Sequence, residues 1–216
     1  MIPKRLYTTW VGVPDRDIYT DADRALFIRC LDSWRRLMPD YPVTIITREN
    51  VFDWGHDPMV RDWYERGYLI LNWVTPSWLY AQGGIYLDMD MEAVQRFDSL
   101  LSAECFVGRE TDGYVNCAIV GARRYHPLMQ EVLARVKDCD IEEQNEGGPR
   151  LYTKILREWG WNGMDATQDV RGVTVLKSDV LYPFLWNVPH AERTAMVTPQ
   201  TIAMHHWAST WTRTAL

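Results

Sequence analysis

The chain has 216 residues, 47% of them hydrophobic, with a formal charge of −6. This is enough for one ordinary domain, 1–216, with a sizeable core. Lys and Arg form no long run, so no nucleic-acid footprint is expected. No apolar run approaches the roughly 20 residues that cross a bilayer, and the N-terminus lacks the apolar core of a signal peptide.

Leu6 to Val11 reads as a first strand ended by Gly12 and Pro14. A polar stretch follows, with Asp21 or Asp23 as helix cap. Ala25, Ile28, Leu31 and Trp34 are spaced as one helical face, and Pro39 closes that helix. Val43 to Ile46 is a β-branched second strand. Strand, helix and strand within about 45 residues open a βαβ unit of nucleotide-binding type. Helices are expected over 57–67 and 75–82, with Pro76 near the first turn of the second. A strand follows over Ile85–Asp88, and two more over Cys105–Gly108 and Cys117–Gly121. Helices run from Pro127 to Val136 and from Pro149 to Trp159, separated by a polar loop. Val173–Leu176 and Thr201–Met204 are late short strands.

The stretch Gly83-Gly84-Ile85-Tyr86-Leu87-Asp88-Met89-Asp90 is the most informative. On an ideal strand Asp88 and Asp90 face one way and Met89 the other. Two carboxylates at a strand end suit Mg²⁺ or Mn²⁺ bridging to substrate phosphates. In open α/β sheets ligands bind at such strand ends. Gly83 and Gly84 stop the helix before them and also allow close backbone approach to a ligand. Cys30, Cys105, Cys117 and Cys139 have no metal or redox spacing and read as reduced thiols of a cytosolic protein.

Ile2-Pro3-Lys4 with Trp10-Val11-Gly12, Ser33-Trp34 with Pro39-Asp40-Tyr41, and the Gly83–Asp90 block together resemble a known family. So do Asn116 with Ile119, His126-Pro127, Gly148-Pro149, Tyr182-Pro183 and His205-His206-Trp207-x-x-x-Trp211. The family is that of the DXD-containing glycosyltransferases of the sugar-binding-region type (glycosyltransferase family 32-like). It includes capsular-polysaccharide transferases, initiating mannosyltransferases and, distantly, the clostridial glucosylating toxins. The resemblance implies a GT-A-like α/β fold with a mixed central sheet flanked by helices. It implies a UDP- or GDP-sugar donor, Mn²⁺ or Mg²⁺, retention of anomeric configuration and a glycan acceptor. There is one departure. The family usually carries Ser-Asp and then Arg on the helix before the glycine pair, to hold donor-sugar hydroxyls. Those positions here are Leu71-Asn72 and Thr75, which lack the charge-assisted bonds.

The site expected from these readings has Asp90 and Asp88 as metal ligands, with His206 slightly preferred over His205 as a third. Asn72 and Asn116 would contact sugar or support the site. Trp10 is either core or a stacking partner for the nucleobase. Tyr86 belongs to the donor pocket, and Thr210 and Trp211 would close over the diphosphate. Glu92, Asp98, Glu110 and Asp112 read chiefly as solvated charges, with Glu110 or Asp112 a candidate for an acceptor hydroxyl. Lys4 and Arg5 read as surface charge. The expected place is the cytoplasm of a bacterium or a virus-infected cell. The alternatives are a metal-dependent nucleotide-sugar hydrolase and a non-catalytic nucleotide- or glycan-binding relative.

Overall fold

The computed structural model describes residues 1–11, 19–68, 70–110, 112–143 and 145–208. A seven-stranded sheet runs in the order β2-β1-β3-β6-β5-β8-β7. Its strands are β1 (Leu6–Thr9), β2 (Val43–Ile46), β3 (Gly84–Leu87), β5 (Cys105–Arg109), β6 (Val115–Ala122), β7 (Gln168–Val170) and β8 (Val173–Leu176). β1 lies parallel to β2 and β3, β6 runs antiparallel to β3 and β5, and β5 is parallel to β8. The sheet is therefore mixed, and an α/β fold results. A separate antiparallel ribbon joins β4 (Met91–Ala93) to β9 (Ala203–His205).

Alternation along the strands divides the core in two. Tyr7, Tyr86, Val107 and Val120 pack with residues of α2 (Pro58–Glu65), α3 (Leu71–Gln82), α4 (Pro127–Arg135) and α5 (Leu151–Glu158). Leu6, Ile85, Phe106 and Ile119 pack on the opposite face with α1 (Asp21–Leu37) and the β4–β9 ribbon. Fully burying each such side chain is worth about 1.5–3 kcal/mol.

Two helices differ from expectation. The cap of α1 is Thr20, which accepts from the Asp23 N–H while the Asp23 carboxylate accepts from Thr20, a capping box. Such a cap is worth about 1 kcal/mol. The buried face of α1 is Phe27, Cys30, Leu31 and Trp34, whereas Ile28 and Ala25 are exposed. The Trp34 indole donates to the Met91 carbonyl, and this bond fixes which stripe turns inward. Helix α3 begins at Leu71, so Pro76 is internal. It has no N–H to give to the carbonyl four residues back, yet the helix runs on because its face of Trp73, Val74, Trp78 and Leu79 is buried. Gly83, at φ 63°, ends it.

Short elements were not foreseen: β4, β7, α6 (Ser178–Leu181) and α7 (His190–Arg193). The last strand covers Ala203–His205. All four cysteines are free. No helix among the described residues is long and apolar enough to cross a membrane.

Candidate active site

β3 ends at Leu87, and the carboxylates lie on a turn rather than on an extended strand. The Asp88 N–H donates to the Ala118 carbonyl at 2.7 Å, and the Met91 N–H donates back to the Asp88 carbonyl at 3.0 Å. That turn passes the chain from the main sheet to the ribbon. Asp90 is then bolted to the end of β9. Its Oδ1 lies 3.1 Å from His205 Nε2, its Oδ2 accepts the Ala208 N–H at 2.7 Å, and its carbonyl accepts the His206 N–H at 3.0 Å. Asp88 Oδ1 accepts the Tyr86 hydroxyl at 2.8 Å, and that hydroxyl meets Thr9 Oγ1 at 3.0 Å. One ligand atom each from Asp88, Asp90 and His205 falls within 4.8 Å of the others.

The charges of this trio are interdependent. Burial, then the Asp90 charge, push Asp88 up to about 7. Burial also works to raise Asp90, but the His205 charge and the hydrogen bonds from His205 and Ala208 outweigh it and hold Asp90 below the usual range. Burial works to lower His205, and the Asp90 carboxylate outweighs that and raises it. Two crowded carboxylates are what a divalent cation neutralises. His205 Nδ1 is buried with no described hydrogen-bond partner. Carboxylate oxygens and one imidazole suit Mn²⁺ or Mg²⁺.

The trio lines a cavity of about 480 Å³. Asn72, Thr75, Tyr86 and Asn116 line it too. The Asn72 amide sits against the kinked helical segment Glu146–Arg150, where a Cβ on Gly148 would stand 3.0 Å from Asn72 Oδ1. Thr75 is buried, and its hydroxyl interacts with the Tyr86 phenol. Asn116 is buried and held at both ends: its Nδ2 donates to Glu110 Oε1 at 2.5 Å, and its Oδ1 accepts the Ala118 N–H at 2.6 Å. Its amide therefore holds Glu110 at the cavity wall.

Two expectations change, one open choice is decided, and one pair of residues lies outside the described chain. His206 turns away from the carboxylate trio to Glu92, at 2.8 Å, and to Arg29, and His205 takes the place beside Asp90. Gly83 and Gly84 sit at the far end of β3 from the carboxylates and are needed for close packing on protein. A Cβ on Gly83 would stand 2.7 Å from the Arg124 nitrogen, and one on Gly84 2.8 Å from the Tyr7 ring. Trp10 does not line the cavity. Its ring packs 4.1 Å from Tyr19 and 5.0 Å from Phe27, and Tyr19 presents the aromatic surface there. Thr210 and Trp211 lie outside the described residues.

Lys4 and Asp98 pair on the surface, as expected of charges there, whereas Glu92 is largely buried and pairs with His206 and Arg29. His126, from the His-Pro pair, caps α4 by accepting the Leu128 N–H at 3.1 Å. Glu110 is more than a surface charge: it is buried in the cavity wall, and that burial raises it to about 7. Tyr19, Tyr152, Trp186 and Trp207 were overlooked as lining residues, because an aromatic side chain gives the same sequence signal whether it is core or rim.

Residues 24–107 match the model of a family described as glycosyltransferase sugar-binding region containing DXD motif. The segment spans α1 to β5 and includes Asp88 and Asp90. No curated protein matches the chain in sequence. Among solved structures, the chain is similar to the glycosyltransferase GlyE of Streptococcus pneumoniae TIGR4, with TM-score 0.54 and 11% identity over 99% of this chain and 61% of that one. It thus spans about three-fifths of GlyE's length. It is similar also to the PaToxG glycosyltransferase, with TM-score 0.50 and 16% identity over 73% of this chain and 68% of that one. These neighbours share the GT-A-like fold. The matched region and these neighbours make the chain similar to DXD-type glycosyltransferases in fold and in the stretch that carries the carboxylates.

Proposed function

We propose that the chain moves a sugar from a nucleoside diphosphate to a hydroxyl of a glycan acceptor, with a divalent metal and with retention of configuration. The observation that carries the metal is the convergence of Asp88, Asp90 and His205 on one wall of the cavity. The donor class and the retention of configuration come with the family resemblance.

Asp90, Asp88 and His205 would hold Mn²⁺ or Mg²⁺, which when bound stabilises the diphosphate as it leaves. The chain's own groups do the rest. The Tyr86 hydroxyl, itself in contact with Thr9, fixes the orientation of Asp88, and the Ala208 N–H fixes Asp90. Such fixed dipoles need no reorganisation as charge develops. Asn72 offers an amide to donor-sugar hydroxyls where the family has a carboxylate. With no acyl-transfer triad called for, the departing phosphate oxygen takes the proton of the incoming hydroxyl. A cytoplasmic place of action fits this reading.

The test is a donor screen. The protein with Mn²⁺ is titrated with UDP-, GDP-, dTDP- and CMP-sugars by calorimetry, with EDTA as control and slow donor hydrolysis as second readout. Binding of one nucleotide class, lost with EDTA, is expected. Metal-independent binding would remove the metal from the proposal. Rapid hydrolysis unaffected by any acceptor would make the protein a hydrolase, and binding without turnover a non-catalytic relative.

A further inference from the structure

The sheet order places Asp88, after β3, between two unlike flanks. On one side lies β1, with Thr9 and the Tyr19 ring in the cavity wall. On the other lies the β5–β6 hairpin, which contributes Glu110, Asp112 and Tyr114. The hairpin is firmly made. The Glu110 N–H donates to the Tyr114 carbonyl at 2.7 Å, and the Gly113 N–H donates to the Glu110 carbonyl at 3.1 Å. Arg109 clamps it from behind, donating to the Glu110 carbonyl at 2.7 Å and to the Gly163 carbonyl at 3.2 Å.

Two large aromatics that line the cavity are left in solvent. Tyr114 is 45% exposed and Trp186 67% exposed, and both line the same cavity. An exposed indole beside a cavity is apolar surface that neither core uses. Its π face suits the C–H face of a pyranose ring. Beside these rings the hairpin lines the cavity with the acidic Glu110 and Asp112, and Arg150 is the one Lys or Arg among the cavity's described lining residues. Glu110 Oε1 is occupied by Asn116, and among the described residues nothing donates to Oε2. A carboxylate takes hydroxyl donors, and the exposed Asp112 charge disfavours an acidic ring beside it.

We infer that the β5–β6 hairpin and Trp186 form the acceptor subsite, in which an uncharged sugar ring stacks on Tyr114 and Trp186 and gives a hydroxyl to Glu110. This rests on the transferase reading above and narrows its acceptor to a neutral glycan. Burial of Glu110, which lifts its proton affinity, suits a group that binds hydroxyls in a protected wall. Asp112 stands at the same hairpin and excludes uronic or phosphorylated rings.

The experiment uses the full chain with Mn²⁺ and the donor class found by the screen. The acceptor probes are neutral p-nitrophenyl hexosides and the matching glucuronides, and nucleotide affinity is measured in parallel. Transfer to a neutral hexoside and not to its glucuronide is expected. Trp186→Ala and Tyr114→Ala should each raise the acceptor KM at least tenfold, with nucleotide Kd within twofold and kcat little changed. Glu110→Gln should raise it less, because an amide still accepts one bond. Acceptor KM unmoved in both aromatic variants, a rise in nucleotide Kd instead, or preference for the glucuronide would overturn the subsite. Donor hydrolysis with no transfer to any neutral sugar would overturn the neutral-glycan acceptor. Failure of every nucleotide to bind the wild type would strike the transferase reading itself.

Discussion

Two neighbouring histidines of one ribbon make two histidine–carboxylate pairs with opposite meaning. His205 meets Asp90 on the side of the cavity, and His206 meets Glu92 on the outer side. The outer pair is balanced, since Arg29 lies 3.3 Å from Glu92 and contacts the same imidazole. Glu92 is held below its usual range, first by the His206 hydrogen bond and against the opposing effect of burial. The inner pair has a second carboxylate, Asp88, and no arginine among its described contacts. Its excess negative charge is what a metal would answer. The same residue types one position apart therefore give a brace on one side and a group of atoms that could hold a metal on the other.

Removing the centre of the inner pair has the largest expected effect. Asp90→Ala should lower transfer by at least roughly 10²–10³-fold and abolish metal-dependent nucleotide binding. Leaving the buried Ala208 N–H and His205 without their acceptor should cost about 1–3 kcal/mol, read as a lowered denaturation midpoint. Full activity in that variant would break the comparison outright. His205→Ala comes next. Metal affinity should fall by at least the roughly 10–100-fold that follows even the loss of a ligand's supporting partner. His206→Ala, treated identically in a Mn²⁺ titration, should stay within twofold. Equal losses in the two variants would mean that the ribbon acts as one structural unit rather than through two distinct faces.

A smaller effect concerns Glu110 and pH. Burial, partly offset by the Asn116 hydrogen bond, raises its folded pKa to about 7 from an unfolded 4.5. The folded state then binds more protons than the unfolded one between those values, so its stabilising contribution is complete below the unfolded value and disappears as pH rises through about 7. Wild-type protein without metal should lose on the order of 2–3 kcal/mol to this group across that window. Glu110→Gln should flatten that part of the stability–pH curve, measured by urea denaturation at several pH values. A curve of unchanged slope would place Glu110 in solvent. The smallest expected effect is on the outer pair. His206→Ala should lower stability by about 1 kcal/mol, because the largely buried imidazole gives up its 2.8 Å bond while Arg29 still pairs with Glu92.

Much of this was legible in the chain. The β-branched run at Val43 to Ile46, the helix stop at Gly83 and the paired Asp88 and Asp90 are local signals, and each lies where its period or its chemistry places it. Asn72 was found by counting back from Gly83, and it does line the cavity. The misses share a cause. Ile28 fits a helical stripe as well as Phe27 and Cys30 do, and only the contact of Trp34 with β4 selects between them. Gly83 and Gly84 announced a close approach but not its partner, which is neighbouring protein at the other end of the strand.

By itself the sequence determined the α/β class, the carboxylate doublet and its hard-oxygen chemistry, because strand alternation, glycine and charge act over a few residues. It also determined that His205 and His206 face opposite ways. Which of them turns inward was decided by the register of β4 on β9, with Met91 opposite His205 and Glu92 opposite Met204. A slip of one residue would exchange the two faces and carry His206 inward. That register is set by the packing of Met91, Ala93 and Ala203 into the core across more than a hundred residues of chain, and a long-range choice of this kind has no local signal.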